Sequence, residues 1–405
     1  MNLRRLLLPA AVAALATLAA ACGPTPPPAG EFTGPTYTGA GSPTGFKAES
    51  KLWYHSGSWW AVMFDPASTD YYVFKHDKVS QAWTKTEARL DDRPSTNADV
   101  LFDGTKLYVL SHVYAETAQP DATTNARLYR LSFANGGWTV DSGFPRTVDR
   151  GRSEVMTLAK DSTGRLWATW VEAAAVKYTT SDDDGATWAA HATLPGPAAT
   201  QLTTDDISAV VAFGGRVGIL WSAQLPDALG ATALYFATHV DGEATDAWTT
   251  ETVLSGPRIA DDHLSLVATA DGTVQAVAKT SAAPGEVEVN LLTRTPAGVW
   301  TAAPVWRRAD GITRPVLVID STHGRALVYG VSPEGGGDVY RKASPLGTPA
   351  FPVGKGDKVI DDETVGSVVN DPTATKQPVT ADTDLVVLAS DNADRTYWHH
   401  WDRIS

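Results

Sequence analysis

The residues Ser181-Asp182-Asp183-Asp184-Gly185-Ala186-Thr187-Trp188 separate two segments of strand-forming composition, residues 174–179 and residues 189–194. Asp side chains accept hydrogen bonds from backbone N–H groups across a turn, and glycine supplies a positive φ without steric cost. The tryptophan that follows is large and apolar, so it is suited to burial against a neighbouring sheet. The stretch therefore predicts the turn of a β-hairpin.

Two hairpin patterns recur along the whole chain. In the first, a polar turn precedes an apolar strand, and its copies follow one another at intervals of roughly 50 residues, as expected for a repeat protein. The turns of the seven copies lie at residues 56–58, 103–105, 163–165, 214–216, 271–273, 323–325 and 382–384. In the second pattern a strand tyrosine precedes a turn that ends in an aromatic residue, as in the pair Tyr178 and Trp188.

Two hairpins per repeat imply four strands per repeat. The sequence therefore predicts an all-β protein, a seven-bladed β-propeller of four-stranded antiparallel blades. Because the seventh copy is the least regular, the alternative is a six-bladed ring with an extra hairpin. The last blade has too few strands after Val379, so residues 46–50 are expected to complete it and close the ring.

The stretch at 181–188 resembles the Asp box, or BNR repeat, of sialidases and related β-propellers. The resemblance implies a sialidase-like propeller over residues 46–405, with the Asp box at the end opposite the active site. The sialidase F/Y-R-I-P motif is missing, and sialidases have six blades. The catalytic residues of that family therefore do not transfer to this sequence by motif, and the superfamily also includes polysaccharide lyases, lectin-like binders and assembly factors.

The amino terminus predicts export. Residues 1–22 combine Arg4 and Arg5 with a short apolar run and end at Cys22, which resembles the lipidated cysteine of bacterial lipoproteins. Cys22 is the only cysteine in 405 residues, and lipidation explains it better than a disulfide does. Residues 23–45 are rich in Pro, Gly and Thr, and they are expected to form a flexible tether. The predicted location is therefore extracytoplasmic, on the membrane or cell surface, through a lipid anchor alone.

The net charge of -13 argues against nucleic-acid binding, which needs a basic surface. We expect a monomer without a cofactor. We also expect no metal site, since neither His399-His400 nor residues 182–184 has the spacing of metal ligands. Many of the charged residues collect in the segments that join one blade to the next. A meander places these segments at the end away from the Asp box, so they are expected to meet at one mouth of the central channel.

This convergence predicts a polar binding site. The candidate catalytic residues are the acid or base side chains of these segments, namely Asp92, Glu154, Asp206, Asp262 and His263. The candidate substrate-binding residues are the cationic side chains Arg93, Arg152, Arg314 and Lys376, of which the arginines suit a sugar carboxylate. Tryptophan rings expected to stack on sugar are Trp59, Trp398 and Trp401. Any one of the charged residues can instead cap a turn or join two blades.

The function expected from the residues and the resemblance is recognition of carbohydrate, in particular an acidic sugar, at the channel mouth by a surface-anchored lipoprotein. The enzymatic version is a sialidase-like glycoside hydrolase, with a polysaccharide lyase less favoured. The alternative is a non-catalytic propeller that binds glycan or holds another protein.

Overall fold

The computed structural model describes residues 26–45, 47–116, 121, 123–227 and 229–404. The described chain forms seven antiparallel sheets, which are the blades of a seven-bladed β-propeller. This confirms the predicted fold class and excludes the six-bladed alternative. Each turn-and-strand copy found in the sequence supplies the second strand of one blade.

The blades are built in chain order after one initial strand. The first strand is β1 (Gly30–Thr36). Blade one contains β2 (Leu52–His55), β3 (Ser58–Asp65), β4 (Asp70–His76) and β5 (Trp83–Arg89). Blade two contains β6 (Thr96–Phe102), β7 (Lys106–Val113), β8 (Ala126–Ala134), the short additional strand β9 (Gly137–Val140) and β10 (Arg146–Asp149). Blade three contains β11 (Thr157–Lys160), β12 (Leu166–Glu172), β13 (Ala175–Ser181) and β14 (Ala192–Thr193).

The second half of the ring repeats the same order. Blade four contains β15 (Ser208–Phe213), β16 (Arg216–Ala223), β17 (Thr232–Val240) and β18 (Thr249–Gly256). Blade five contains β19 (Leu264–Ala268), β20 (Val274–Lys279), β21 (Val287–Arg294) and β22 (Trp300–Arg307). Blade six contains β23 (Thr313–Asp320), β24 (Arg325–Ser332), β25 (Asp338–Pro345) and β26 (Asp357–Ile360). Blade seven contains β27 (Val369–Thr373), β28 (Leu385–Asp391), β29 (Thr396–Asp402) and, as its outer strand, β1.

The ring closes through β1, which pairs with β29 from Gly30 opposite Trp401 to Thr36 opposite Thr396. The expectation that residues 46–50 complete the last blade is therefore wrong, and part of the stretch predicted to be a tether is a strand. Without β1, the backbone groups along the edge of β29 would have no hydrogen-bonding partner. The strand β1 pairs with this edge and so takes the place expected for residues 46–50. Cys22 and residues 1–22, predicted as the lipoprotein signal, lie outside the described residues, and within the described part of the chain no helix is long and apolar enough to cross a membrane.

The hydrophobic core lies between neighbouring blades and is rich in tryptophan. Trp53, Trp60, Trp167, Trp170 and Trp221 are at most 1% exposed. Trp53, Trp60 and Trp138 meet edge to face between blades one and two, a geometry that aromatic quadrupoles favour. The tryptophan-rich composition is thus explained by packing between the blades.

The hairpin between β13 and β14 has the predicted turn chemistry. The carboxylate of Asp183 accepts hydrogen bonds from the Thr187 backbone N–H at 2.8 Å and from the Ser181 hydroxyl at 2.8 Å. Gly185 has a φ of 82°, and a Cβ there would lie 2.1 Å from Leu128 Cδ2 of blade two. Trp188 is half-buried and packs with the cluster between blades two and three. This turn therefore fixes the outer hairpin of blade three against its neighbour.

Residues 37–45 and 47–51 lie between β1 and β2, at the end of the ring away from the hairpin of residues 181–188. They are anchored at intervals to different blades. Thr44 donates to the Ser390 hydroxyl of blade seven at 2.8 Å, and the Ser50 N–H donates to Asp99 of blade two at 2.9 Å. We call residues 37–45 and 47–51 the crossing segment.

Candidate functional site at the channel mouth

Lys47 of the crossing segment lies at the centre of the charged mouth. Its ammonium donates hydrogen bonds to the carboxylates of Glu154 and Asp262, and its side chain is 3% exposed. Glu154 precedes β11 of blade three and Asp262 precedes β19 of blade five. Because blade four lies between these two blades, Lys47 joins two blades that are not neighbours in the ring.

Glu154 is an acid poised to titrate near neutral pH. Burial raises the pKa of Glu154 to about 7, and the nearby charges of Asp262 and Asp205 act in the same direction, while Lys47 opposes them. Its Oε2 atom is buried without a hydrogen-bond partner. A carboxyl group with this pKa can hold a proton and release it at physiological pH.

Asp262 is shifted in the opposite direction. Although burial disfavours its charge, a hydrogen bond and the charge of His263, together with Lys47, hold the pKa of Asp262 well below its usual range. His263 Nδ1 lies 2.5 Å from Asp262 Oδ1 and 3.0 Å from Asp261 Oδ1. His263 Nε2 lies 3.4 Å from a guanidinium nitrogen of Arg314, which can only donate. These partners assign the proton of a neutral His263 to Nδ1.

Arg314 and Asp371 extend the network to blades six and seven. Arg314 Nη1 lies 3.0 Å from Asp371 Oδ1. Both residues sit at irregularities in the pairing of the first strand of their blades, and both have left-handed backbones, with φ of 53° and 49°. Lys47 also has a positive φ, 52°. Strained non-glycine residues of this kind cost about 1–3 kcal/mol each and cluster at functional sites, so three of them at one mouth favour a functional role.

A second polar layer lies deeper in the channel. Glu49 is wholly buried between Lys51, at 2.8 Å, and His112 Nε2, at 2.5 Å. Although burial opposes it, the charges of Lys51 and His112 lower the pKa of Glu49 to about 2. This fully paired layer holds the crossing segment in place beneath Lys47 and gives the mouth a rigid floor.

Two sets of side chains at the mouth have oxygen and nitrogen atoms close enough to bind one metal ion. One set is Glu154, Asp205 and Asp262, and the other is Asp261, Asp262 and His263. In each set the atoms lie within 4.8 Å of one another. The Lys47 ammonium already contacts two members of the first set, Glu154 and Asp262, so these residues do not by themselves require a metal.

The structure brings together four of the predicted site residues, Glu154, Asp262, His263 and Arg314. Lys376 points into the channel below them, where it pairs with the buried Asp99 and lies 3.3 Å from the Leu158 carbonyl oxygen. It lines a cavity of about 520 Å³ between the inner strands of blades two to five. The cavity lies beside the ends of these strands, towards the hairpin of residues 181–188.

The other predicted site residues have structural partners elsewhere. Arg93 binds Asp91 at 2.6 Å, and Arg152 binds Asp121 at 3.2 Å, so each of the three predicted arginines pairs with a different carboxylate. The prediction that these arginines form one carboxylate grip is therefore not supported by their contacts. The sequence placed these arginines in the segments between blades, but it did not determine the direction of their side chains.

Asp92 and Asp206 also act in the linkers themselves. Asp92 is exposed and binds Arg127 at 2.8 Å. Asp206 is buried and accepts hydrogen bonds from the backbone N–H groups of Thr203, at 2.7 Å, and Gln224, at 3.0 Å. Asp206 therefore stabilises the linker before blade four by capping its turn, which is the structural role that such a residue can have in place of a catalytic one.

The tryptophans expected to stack on sugar are packed inside the fold. Trp59 is 3% exposed and donates to the Thr383 carbonyl oxygen, and Trp401 is wholly buried. Trp398 is half-buried. These rings belong to the blade core.

Six residues of the mouth were not among the sequence candidates, namely Lys47, Tyr114, Asp205, Asp261, Lys279 and Asp371. Tyr114 is half-buried, and burial together with the charges of Glu154 and Glu116 raises its pKa. It also lines a groove of about 300 Å³ on the same face, between the crossing segment and the linker before blade two. Asp205 and Asp261 stood in charged linkers, and no motif marked the other four.

No protein-family model matches the sequence. No curated protein matches it either. Among solved structures, the fold is similar to polysaccharide lyase Uly1, with a TM-score of 0.52 and 10% identity over 88% of this chain and 90% of that one. It is also similar to a protein of unknown function from Dyadobacter fermentans DSM 18053, with a TM-score of 0.50 and 12% identity over 77% of this chain and 94% of that one.

NanB sialidase from Streptococcus pneumoniae shares 11% identity over 94% of this chain and 71% of that one, with a TM-score of 0.43. At 10% and 12% identity, the likeness to polysaccharide lyase Uly1 and to the Dyadobacter fermentans protein shows the fold alone. The function therefore has to be inferred from the chemistry of the mouth.

Proposed function

We propose that this protein recognises carbohydrate at the channel mouth and hydrolyses a glycosidic bond there with Glu154 and Asp262. The observation that carries the proposal is the opposite pKa shift of two carboxylates that meet at the same ammonium. Pairs of acids whose environments separate their pKa values are the usual basis of acid and base roles at one site.

The chemistry requires one protonated and one ionised group. Glu154, with a pKa of about 7, donates its proton to the leaving glycosidic oxygen as the bond to the anomeric carbon breaks. Asp262 stays ionised and faces the positive charge that develops on that carbon. One oxygen of Glu154 lies within 4.8 Å of one oxygen of Asp262, so both carboxylates can act on the same glycosidic bond.

In a retaining reaction Asp262 bonds to the anomeric carbon, and water then releases the sugar while Glu154 takes back a proton. Lys47 lies between the two carboxylates. A substrate oxygen therefore reaches Glu154 only after the Lys47 side chain turns away. Its unbranched stem allows this without movement of the anchored residues 49–51.

The specificity for an acidic sugar was expected from three arginines, of which Arg314 alone lies beside the mouth carboxylates. Arg314 is already paired with Asp371. Neutral and cationic glycans therefore fit the mouth better than sugars with a carboxylate. The second candidate function is glycan binding without turnover, and the observation that favours it is that Lys47 fills the space between the two acids.

The test is turnover by the full chain of a panel of fluorogenic glycosides and polysaccharides that includes sialosides and uronic-acid polymers. We expect Glu154→Gln and Asp262→Asn to lower kcat by at least about 100-fold, the range of general acid catalysis. Asp182→Asn, at the opposite end of the ring, is the matched control and keeps full activity. Glycan binding that survives both mouth substitutions without any turnover would replace the hydrolase by the binding protein.

The site of action is a separate proposal, supported by the sequence alone. We propose that the chain is exported and lipid-anchored through Cys22 at the membrane or cell surface. Mass spectrometry of the amino terminus after expression in a bacterial host tests this. Cys22→Ser is expected to release the protein from the membrane fraction, and an unmodified Cys22 in the mature protein would refute the anchor.

A further inference from the structure

We propose that the mouth binds a primary ammonium group of an amino sugar in the position that Lys47 occupies, so that the glycan it takes carries unacetylated amines. This proposal rests on the proposed carbohydrate function and names the class of substrate. Without a ligand, the ammonium of Lys47 occupies the position that the amine of the ligand takes on binding.

The arrangement of carboxylates matches an ammonium group. Glu154, Asp205 and Asp262 come from the linkers that precede three successive blades, and one oxygen of each lies within 4.8 Å of the others. An ammonium carries three N–H donors. Lys47 is seen to donate to two of these carboxylates, Glu154 and Asp262. Asp205 is exposed at the rim and accepts a hydrogen bond from the Gln224 side-chain amide at 3.1 Å, and its other carboxylate oxygen can take a third donor from a ligand.

A second observation points to a polar group of a ligand at the same place. Glu154 is 6% exposed, and its Oε2 is buried without a hydrogen-bond partner although Oε1 binds Lys47. A buried carboxylate oxygen left unsatisfied is costly, and native proteins retain few of them. In a 2-amino sugar the amine is on the carbon next to the anomeric carbon. One Glu154 oxygen can therefore hold the amine while Oε2 reaches the glycosidic oxygen.

The charge balance at the mouth favours a cation. The carboxylates that meet there are Glu154, Asp205, Asp261, Asp262 and Asp371, and the permanently charged cations beside them are Lys47, Lys279 and Arg314. Lys279 and Arg314 are held by Asp261, at 3.2 Å, and Asp371, at 3.0 Å. A ligand ammonium that displaces Lys47 conserves the charge of the site, whereas a carboxylate ligand would add to the negative excess.

The experiment is calorimetric titration of the full chain with a glucosamine oligomer and with the same oligomer fully N-acetylated. We expect the free-amine oligomer to bind at least about tenfold more tightly, since acetylation removes a charged donor. Asp205→Asn should weaken the free-amine oligomer by about tenfold and leave the acetylated oligomer unchanged. Asp182→Asn, distant from the mouth, should change neither affinity and is the control.

Lys47→Ala supplies an independent readout. Removing the internal ammonium should tighten binding of the free-amine oligomer, and methylammonium should raise the melting temperature of this variant but not of the parent. If Lys47→Ala does not fold, the Asp205→Asn titration decides, because Asp205 is exposed and makes no ion pair in the described structure.

Two results would overturn the amine proposal. One is an acetylated oligomer that binds as tightly as the free amine, and the other is a folded Lys47→Ala protein that methylammonium does not stabilise. If neutral glycans are then cleaved in a Glu154-dependent reaction, the proposed function stands and only the amine specificity falls. If no glycan of any charge binds or is cleaved, both proposals fall.

Discussion

Glu154→Gln should remove one defined contribution to the pH dependence of stability. Glu154 ionises with its ordinary pKa of 4.5 in the unfolded chain and with a pKa of about 7 in the folded protein, chiefly because it is buried. Between these values the native state binds more protons than the unfolded state. The free energy of unfolding must therefore fall as the pH rises through this window.

The magnitude follows from the two pKa values. A tenfold change in proton affinity is worth about 1.4 kcal/mol, so raising the pKa from 4.5 to about 7 corresponds to about 3 kcal/mol. The stabilisation that comes from the protonated form of Glu154 is complete below about pH 4.5 and is lost by about pH 7. Glutamine does not titrate. The stability of the parent relative to Glu154→Gln should therefore decrease by about 3 kcal/mol across the window and then stay level.

The assay is urea unfolding of both proteins at a series of pH values from the acid side to pH 8, with unfolding followed by tryptophan fluorescence. Asp182→Asn removes an exposed carboxylate on the opposite end of the ring and controls for the general effect of net charge. A constant difference in stability between parent and Glu154→Gln over the whole range would refute the assignment of a raised pKa to Glu154. The acid role that depends on that pKa would fall with it.

Three other predictions follow from the same structure. The kcat/KM of a cleaved glycoside should fall tenfold per pH unit above about pH 7, where Glu154 loses its proton, and a flat alkaline profile would contradict its acid role. Gly185→Ala should cost about 3 kcal/mol in urea unfolding, because its Cβ would meet Leu128 at a positive φ, whereas Gly164→Ala, which has open space, should cost about 1 kcal/mol. Deleting residues 26–36 removes β1 and should cause aggregation at concentrations where the parent is monodisperse in light scattering, because the edge of β29 is uncovered.

The fold was predictable because its repeats leave a local record. A glycine or aspartate turn followed by an apolar strand marks each blade, and the strand pairings follow from chain order. The ring closure was not predictable in the same way. The strand Gly30–Thr36 contains both glycine and proline and lacks a clean alternation, so its pairing with β29 depends on the edge that the finished ring leaves open.

The site was predictable only to the level of the linkers. The position of a residue in a linker identified Glu154, Asp262, His263 and Arg314. It also selected Arg93 and Asp206, whose side chains instead stabilise the linkers through nearby partners. Lys47 was missed because it has no motif and because its role depends on two carboxylates more than 100 residues away in the chain. Charge pairing across a ring is a property of the closed structure.

The pairing of β1 with β29 also constrains the order of events during synthesis. Gly30 must wait for Trp401, its partner in β29, so the last blade forms only after β29 has been made. The entropy lost on joining such distant segments grows only slowly with the length of chain between them. The earlier blades can thus fold first as the chain is made. A chain that stopped before residue 396 would lack the pairing between β1 and β29.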